Sequence, residues 1–322
     1  MSDAPAPETR HDGPLVHALL FLTVLCWGMA FVFIKQGLRE LTPVELTLLR
    51  FGLAGAAFAL YLLFVPSARV PVRREDWGRF LLLGFLGVPG YHLALNFGEQ
   101  WISASSASLI IALNPIVTAL LSAWLVQERP GWRSAAGILL AVGGLLLVLR
   151  AQGGPLFSFT SKLGAGLTLF AAIDWSFYTV LAKPLFKHYP SATVTAYATI
   201  AGTIFLLPLL RPAFLWKLPT LSTGTWGALL FLSLLSAFFG YLAWYFALAR
   251  RDAAQVAVYI YLNPLIAVLG SRFVLAEPLT LPLLSGGALI LAGVAVAQQA
   301  GAASPKSIGK NLASRAGKPG LS

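Results

Sequence analysis

A few acidic, amide and imidazole side chains lie inside long apolar stretches of this sequence, and they are the residues best suited to chemistry. Asp174 lies in the middle of one stretch, beside Trp175. His92, Asn96 and Glu99 follow one another at helical spacing in another stretch, so a helix places them on one face. An acid at the centre of a membrane helix costs about 2.5–3.5 kcal/mol and usually binds an amino group or carries a proton. The alternative for Asp174 is a hydrogen-bonded acid with a structural role.

The spacing of His92 and Asn96 also fits a pair of metal ligands, but asparagine is a poor ligand and no second histidine is near. We therefore expect no metal site and no cofactor. A single histidine in a membrane helix either lines a cavity or packs through a hydrogen bond, and the sequence leaves both open.

Aromatic residues also occur deep inside the apolar stretches, away from the ends where a membrane-interface belt would place them. Their rings are able to stack on an apolar or cationic substrate. The alternative for each ring is ordinary helix packing. Combining the polar and aromatic groups, we predict a substrate-binding cavity lined by Trp27, Tyr91, His92, Asn96, Asp174, Trp175, Tyr241, Trp244 and Tyr259.

Two matched tripeptides show that the chain repeats. Leu113-Asn114-Pro115 recurs 149 positions later as Leu262-Asn263-Pro264, and the same shift carries Glu128 onto Glu277. Pro115 and Pro264 each remove a backbone donor in mid-helix, so we expect helix kinks there. The kinks either bend the helices around a substrate path or serve packing alone. Either glutamate is expected to bind an arginine or a helix N-terminus in the other half.

The elements that position these residues are membrane helices. The chain of 322 residues is 57% hydrophobic and 11% charged, whereas a soluble domain carries about 25% charged residues. The net charge of +11 lies in short loops, which indicates membrane orientation and argues against nucleic-acid binding. Stretches long enough to cross a bilayer are 16–35, 44–65, 79–98, 104–126, 134–150, 163–183, 193–210, 226–248, 254–275 and 281–298.

The distribution of basic residues predicts the orientation. Fifteen Lys and Arg residues lie in the termini and even-numbered loops, against six in the odd-numbered loops, so both termini are expected in the cytoplasm. Arg50 and Arg272 remain inside predicted helices, and we expect both to snorkel to the membrane surface. The fold class expected is an all-α polytopic membrane protein with ten transmembrane helices as two inverted five-helix repeats.

At this point the sequence resembles the EamA family of the drug/metabolite transporter superfamily. The resemblance rests on Trp27-Gly28, on Leu49-Arg50-Phe51, and on the passage SSASLIIALNPIVTALLSAWLVQER from Ser105 to Arg129. The second half repeats that passage as AAQVAVYIYLNPLIAVLGSRFVLAEP. The aromatic residues make the chain most similar to the aromatic amino-acid exporters of that family.

The resemblance implies a bacterial inner-membrane exporter of small metabolites that works by alternating access. We expect an amino acid, aromatic or large neutral, as substrate, with a monomer or weak homodimer in the bilayer and no catalytic residues. The alternatives are an exporter of drugs or other cationic aromatic compounds, or an intramembrane enzyme using Asp174 and His92. The expected organisation is a cytoplasmic tail, two EamA-like repeats and a disordered cytoplasmic tail, at 1–14, 15–150, 163–300 and 301–322.

Overall fold

The computed structural model describes residues 13–126, 132–151, 159–182, 184–248, 250–251, 256 and 258–302. Within these ranges the chain is helical and contains no strand. The predictions for Glu128, and for nearly all of the two tails, fall outside the described residues. The helices are α1 (Gly13–Gly37), α2 (Pro43–Phe64), α3 (Arg74–Trp101), α4 (Ala104–Ile111), α5 (Asn114–Val126), α6 (Trp132–Arg150), α7 (Phe159–Ala182), α8 (Ser191–Leu206), α9 (Thr223–Leu248), α10 (Leu262–Val274) and α11 (Leu281–Ala302).

Six of the helices in the described ranges are long and apolar enough to cross a membrane: α1, α2, α3, α7, α8 and α9, with α7 and α8 taken with the turns that follow them. Four shorter apolar helices of 10–17 residues occupy the remaining predicted segments. By length and composition alone, ten crossings therefore stay a prediction, although every predicted segment contains an apolar helix.

Local sequence signals start several of these helices. Thr42 accepts a hydrogen bond from the Glu45 amide while the Glu45 carboxylate accepts one from the Thr42 amide, which is a capping box, and Pro43 occupies the first turn of α2. Ser103 caps α4 through the Ser106 amide, and Ser222 caps α9 through the Thr225 amide. These caps satisfy amides that a helix cannot satisfy internally.

Two helix backbones come very close at the seam between α6 and α11. A methyl group at Gly144 would lie 2.6 Å from the carbonyl oxygen of Gly286, and one at Gly137 would lie 2.6 Å from that of Gly293. Small residues let helix backbones come this close, and the gain is van der Waals packing. Gly143 has no atom within 4 Å of its methyl position, so it takes no part in the seam.

The helix contacts of the first half are matched by contacts of the second half. Helix α1 packs against α9 and α10, and α7 packs against α3, α4 and α5. Helix α2 packs against α9, while α8 packs against α3. Each helix therefore meets partners from the other half of the chain, and the polar and aromatic residues of the interior lie where these contacts converge.

Helices α3 and α9 each widen into a π-helical segment, at Leu86–Leu93 and at Phe231–Phe239. Both are the third apolar helix of their half. A π segment shifts the register of the side chains after it and is frequent at functional sites. In α3, Pro89 within the segment lacks a backbone donor, which favours the interruption.

Candidate functional site

Aromatic rings from α1, α3, α7 and α9 meet in the interior. The ring centroids of Trp27 and Trp244 are 5.1 Å apart, and those of Trp27 and Tyr241 are 5.8 Å apart. Trp175 lies 6.3 Å from Tyr241 in a stacked arrangement and 5.1 Å from Tyr91. We call the set Trp27, Tyr91, His92, Trp175, Tyr241 and Trp244 the aromatic centre; His92 joins it through Tyr91, at 4.6 Å.

Tyr259 lies at the edge of this arrangement. Its hydroxyl is 2.6 Å from Nδ1 of His17 in the first turns of α1, and its ring stacks on the His17 ring. Tyr259 packs against the same apolar cluster as Trp244, and among the described residues its ring contact is with His17. Its contacts are therefore with the end of α1.

Tyr178 belongs with the aromatic centre although the sequence analysis did not select it. Its ring stacks on Trp175 at 5.0 Å with an interplanar angle of 18°. The available signal was its position three residues after Trp175, where a helix brings side chains together.

Trp27 is fixed by a bond to the π segment of α9. Its Nε1 donates to the carbonyl oxygen of Ser236 at 2.9 Å. A methyl group at Gly240 would lie 2.6 Å from the same nitrogen, so the glycine makes room for the indole. The indole N–H is thus already used, and only the ring of Trp27 is available to a ligand.

Asp174 is buried against the π segment of α3. Its Oδ2 atom has no hydrogen-bond partner among the described residues. Its Oδ1 atom would lie 2.7 Å from a methyl group at Gly90, so the missing side chain there allows the carboxylate to approach. The matching place in α1 holds Cys26, a buried free thiol. The two halves therefore differ in charge at equivalent positions.

One face of α3 carries a row of buried polar side chains, His92, Asn96 and Glu99, which we call the α3 polar face. Asn96 Nδ2 donates to Oγ1 of Thr47 at 2.9 Å. His92 Nε2, Asn96 Oδ1 and both carboxylate oxygens of Glu99 have no partner within the part of the chain that the structure describes. The prediction that these residues share a face is confirmed, and Glu99 is as deeply buried as the other two.

Arg50 corrects an expectation. It was expected to snorkel, but its side chain is buried between α3 and α9. Nη1 is 3.4 Å from Nδ1 of His92, and Nη2 is 3.5 Å from Oγ of Ser236. The expectation was wrong because α2 packs against α3 and α9 on this side, so the guanidinium has no route to the surface. Arg272, near the end of α10, is exposed.

The proline-containing segments coincide with breaks in helical structure. Helix α4 ends at Ile111, and α5 begins at Asn114 after two turn residues. In the second half a 3-10 segment, Val258–Tyr261, precedes α10, which contains Asn263 and Pro264. Pro115 and Pro264 thus lie in the first turn after each break, where the missing donor costs least.

The two asparagines of these segments differ. The Asn114 side-chain oxygen accepts from Oγ of Ser176 and Oγ1 of Thr118, each at 3.0 Å, and so connects α5 to α7 two residues from Asp174. The Asn263 side-chain oxygen is buried without a partner among the described residues. The backbone of Asn263 instead lies against Gly28 of α1, whose methyl position is 2.9 Å from the Asn263 carbonyl oxygen.

Glu277 binds the N-terminus of α4. Its Oε1 accepts from the Ala104 amide at 2.9 Å, and its Oε2 accepts from the Ser105 amide at 3.2 Å and the Ser105 hydroxyl at 2.7 Å. A carboxylate at a helix N-terminus is favoured by both the free amides and the helix dipole. The prediction that Glu277 binds a helix N-terminus in the other half is confirmed. Ala276, just before it, has a positive φ of 56°.

Open space is unevenly distributed around these groups. Beside Trp175, Tyr178 and Tyr241 the enclosed volume is about 10 Å³, which is at the lower limit for one water molecule. A pocket of about 500 Å³ opens instead at the end of the bundle that contains Lys35. We call it the Lys35 pocket; it is lined by Lys35, Leu38, Arg39, Glu99, Gln100, Trp101, Leu275 and Glu277. The aromatic centre is therefore tightly packed on the side of Trp175 and Tyr241.

The geometry, two matched sets of helices meeting at a polar and aromatic interior, agrees with the comparison to protein families. The model of the EamA-like transporter family matches residues 15–150 and again residues 162–298. The chain belongs to the EamA-like transporter family. It is therefore a multi-pass membrane protein of a family of transporters. The family indicates a transporter rather than an enzyme.

Curated relatives of this EamA-like chain are named as transporters. An "Uncharacterized transporter" of Archaeoglobus fulgidus is 33% identical over 86% of this chain and 96% of its own length. A "Probable terminal-alkyne amino-acid exporter" of Streptantibioticus cattleyicolor is 34% identical over 85% of this chain and 90% of its own length. A "Probable amino-acid metabolite efflux pump" of Salmonella typhimurium is 30% identical over 89% of this chain and 94% of its own length.

A protein of known crystal structure shares the fold of this EamA-like chain. The TM-score is 0.61 at 23% identity, over 90% of this chain and 99% of the other. Within the described residues no group of three or more His, Cys, Asp or Glu side chains is arranged to hold a metal ion. The chemistry available to the site is thus binding by aromatic faces, one acid and a few hydrogen-bond groups.

Proposed function

We propose that this protein exports amino acids with aromatic or large neutral side chains across the bacterial inner membrane, by alternating access through the aromatic centre. The observation that carries the proposal is the meeting of four aromatic helices with a buried acid whose oxygen lacks a partner. An aromatic side chain stacks on such rings, and a substrate ammonium group is a suitable partner for Asp174. The names of the amino-acid exporting relatives support the same class of substrate.

The proposed architecture is ten crossings in two inverted repeats with both termini cytoplasmic. Contacts along the chain support it. At one end Lys217 forms an ion pair with Glu45 at 2.9 Å, and Glu40 accepts hydrogen bonds from Ser222. At the other end Tyr189 donates to Asp76 at 2.9 Å, and Thr193 donates to the Ala68 carbonyl at 3.0 Å. Odd-numbered loops thus meet odd-numbered loops at one end and even-numbered loops meet even-numbered loops at the other, as alternating crossings require.

Alternating access is supported by the unequal cavity volumes at the aromatic centre and at the Lys35 pocket. The aromatic centre is tightly packed on the side of Trp175 and Tyr241 while the Lys35 pocket is open, and matched helix contacts in the two halves provide two equivalent ways of packing. In the proposed orientation Lys35 lies on the external side.

The test is transport by the full chain in proteoliposomes. Vesicles loaded with unlabelled amino acid are diluted into labelled phenylalanine, tryptophan, leucine, alanine or glutamate, and exchange is followed. We expect exchange of the aromatic and large neutral amino acids. Glutamate should not exchange, because its second carboxylate would find no cation beside the aromatic centre other than Arg50. Exchange of a cationic aromatic drug with no exchange of any amino acid would favour the alternative of drug export.

A further inference from the structure

The Lys35 pocket contains charged groups that the proposed transport site does not use. It collects Lys35 and Arg39 from α1 and the loop after it, Glu99 and Gln100 from α3, and Glu277 after α10. With a volume of about 500 Å³ it falls within the range of small-molecule sites. It shares Glu99 with the α3 polar face, which begins at His92 of the aromatic centre.

Glu99 is the group in this pocket that lacks a partner. Its side chain is 0% exposed, and neither carboxylate oxygen has a hydrogen-bond partner among the described residues. A buried carboxylate in this condition is costly unless a cation or a proton accompanies it. Lys35 interacts with this carboxylate electrostatically, and both carboxylate oxygens remain able to accept hydrogen bonds from a further positively charged group.

Lys35 is close to Glu99 but is bound to its backbone. Nζ donates to the carbonyl oxygens of Glu99 and Ile102, the latter at 2.8 Å, which are acceptors at the end of α3. An ammonium group has three donors, so one remains for an anion in the pocket. Arg39 lines the same space. The two cations thus supply a place for a carboxylate beside the place for a cation.

Glu277 differs from Glu99 in being hydrogen-bonded. Its two oxygens accept from the two amides and the hydroxyl at the start of α4. The acid that remains available is Glu99, and the arrangement has one anionic and one cationic side, as a zwitterion requires.

We propose that the Lys35 pocket is a second binding site for the head group of the exported amino acid, with Glu99 receiving the ammonium and Lys35 and Arg39 the carboxylate. This inference rests on the proposed function. Glu99 lies seven residues from His92, about 10 Å along the helix axis. In this proposal the pocket is the next binding site for a substrate that leaves the aromatic centre along the α3 polar face.

The test compares three ligands that share an indole ring: tryptophan, tryptamine, which lacks the carboxylate, and indole-3-propionate, which lacks the amine. Their affinities are measured on the full-length purified protein in proteoliposomes, with ligand added on the Lys35 side. We expect Glu99→Gln to weaken tryptophan and tryptamine about tenfold and to leave indole-3-propionate unchanged. Lys35→Met is expected to weaken tryptophan and indole-3-propionate and to spare tryptamine.

The matched control is Lys217→Met, at the same end of the bundle but paired with Glu45 outside the pocket, which should change no affinity. An equal loss for all three ligands would overturn the proposal, since it indicates a structural role. A shifted pH dependence of transport with unchanged tryptamine affinity would assign Glu99 to a proton and also overturn it.

Two results separate this proposal from the proposed function. Normal tryptophan exchange with unaltered affinities in both variants rejects the pocket alone, whereas absence of exchange and binding for every amino acid rejects the function. If a variant does not fold, the unmodified protein still decides. It should bind tryptophan more tightly than either analogue from the Lys35 side, and equal affinities reject the pocket.

Discussion

The seam between α6 and α11 and the aromatic centre are packed in contrasting ways. At the seam, glycines bring two backbones into direct contact, and the neighbouring buried side chains are apolar residues such as Ala141, Val148 and Ile290. At the aromatic centre and the α3 polar face, Arg50, His92, Asn96, Glu99 and Asp174 all keep at least one buried polar atom without a partner in the described structure.

The contrast indicates which region stabilises the fold and which region serves ligand binding. Each unsatisfied buried polar group costs about 1–3 kcal/mol, so the interior would be more stable with apolar residues in these places. The seam has no such cost and gains from close packing. We infer that the seam provides stability and that the polar interior is retained for ligands, which makes the two regions distinguishable by mutation.

The largest effect is expected at the seam. In Gly144→Val the added carbon atoms meet the Gly286 carbonyl oxygen 2.6 Å from the methyl position, and the backbones must separate. We expect loss of monodisperse, folded protein by size-exclusion chromatography. Gly143→Ala is the control, because nothing lies within 4 Å of its methyl position. Folded Gly144→Val protein with unchanged thermal stability would contradict the assignment of the seam.

Asp174→Asn is expected to lower amino-acid exchange about tenfold while leaving thermal stability unchanged or raised. The amide keeps the size of the side chain but loses a charge-assisted hydrogen bond to the substrate ammonium, worth about 1.5–3 kcal/mol. Cys26→Ala, at the matching place in α1, serves as the control and should leave exchange near the unmodified rate. Equal loss in both variants would indicate a packing effect and remove the difference between the halves.

Trp175→Ala and His92→Ala are expected to lower exchange by several fold with retained folding, because both side chains belong to the aromatic centre. Tyr259→Ala should reduce exchange less, since Tyr259 bonds to His17 and lies at the edge of the centre. The measurement is the initial rate of tryptophan exchange at equal protein content. A ranking with Tyr259 as the most sensitive position would move the site toward the end of α1.

Ala276→Gly is expected to give a small rise in thermal stability. A φ of 56° is unfavourable for alanine by about 1–2 kcal/mol, while glycine adds about 0.4–1 kcal/mol of unfolded-state entropy, so the net gain is about 0–1.6 kcal/mol. Ala267→Gly, inside α10, should instead lower stability, as glycine does in a helix interior. A stability loss in Ala276→Gly comparable to the control would show that the backbone there is not strained.

The smallest effect concerns Glu40 and pH. Hydrogen bonds from the Ser222 hydroxyl and amide hold the pKa of Glu40 below its ordinary value. A lowered pKa stabilises the folded protein at neutral pH, and this contribution is lost as the pH falls below the ordinary value and through the lowered one. Glu40→Gln should therefore be slightly less stable to heat than the unmodified protein at pH 7, and the difference should disappear once the pH falls below the lowered pKa. A difference that grows toward acid would contradict the sign.

Much of the fold could be predicted from the sequence, because the length and composition of apolar segments identify membrane helices. The break at Pro115 and the contact of Glu277 with a helix N-terminus followed from elementary properties of proline and of helix ends. Six of the nine predicted cavity residues contribute rings that meet in the aromatic centre, because their central depth in the apolar stretches was readable.

Other features depend on tertiary contacts that periodicity does not encode. The burial of Arg50 follows from which side of α2 meets α3 and α9, and a position near a helix end does not reveal that side. The π segments shift the register in α3 and α9, so a uniform helical repeat could not locate them. Lys35 was included among the six basic residues of the odd-numbered loops. Its contacts could not be predicted, because its partners, the carbonyls of Glu99 and Ile102, are backbone atoms.

The contact between Glu277 and α4 also affects the order in which the chain assembles during synthesis. The residues that it joins are 172 and 173 positions apart. At the usual 5–20 residues per second, the ribosome needs about 9–35 s to deliver the carboxylate after the amides of Ala104 and Ser105 have been made. Through that interval the start of α4 depends on water or lipid head groups. Assembly of the first half is therefore completed only when the last quarter of the polypeptide has been delivered to the membrane.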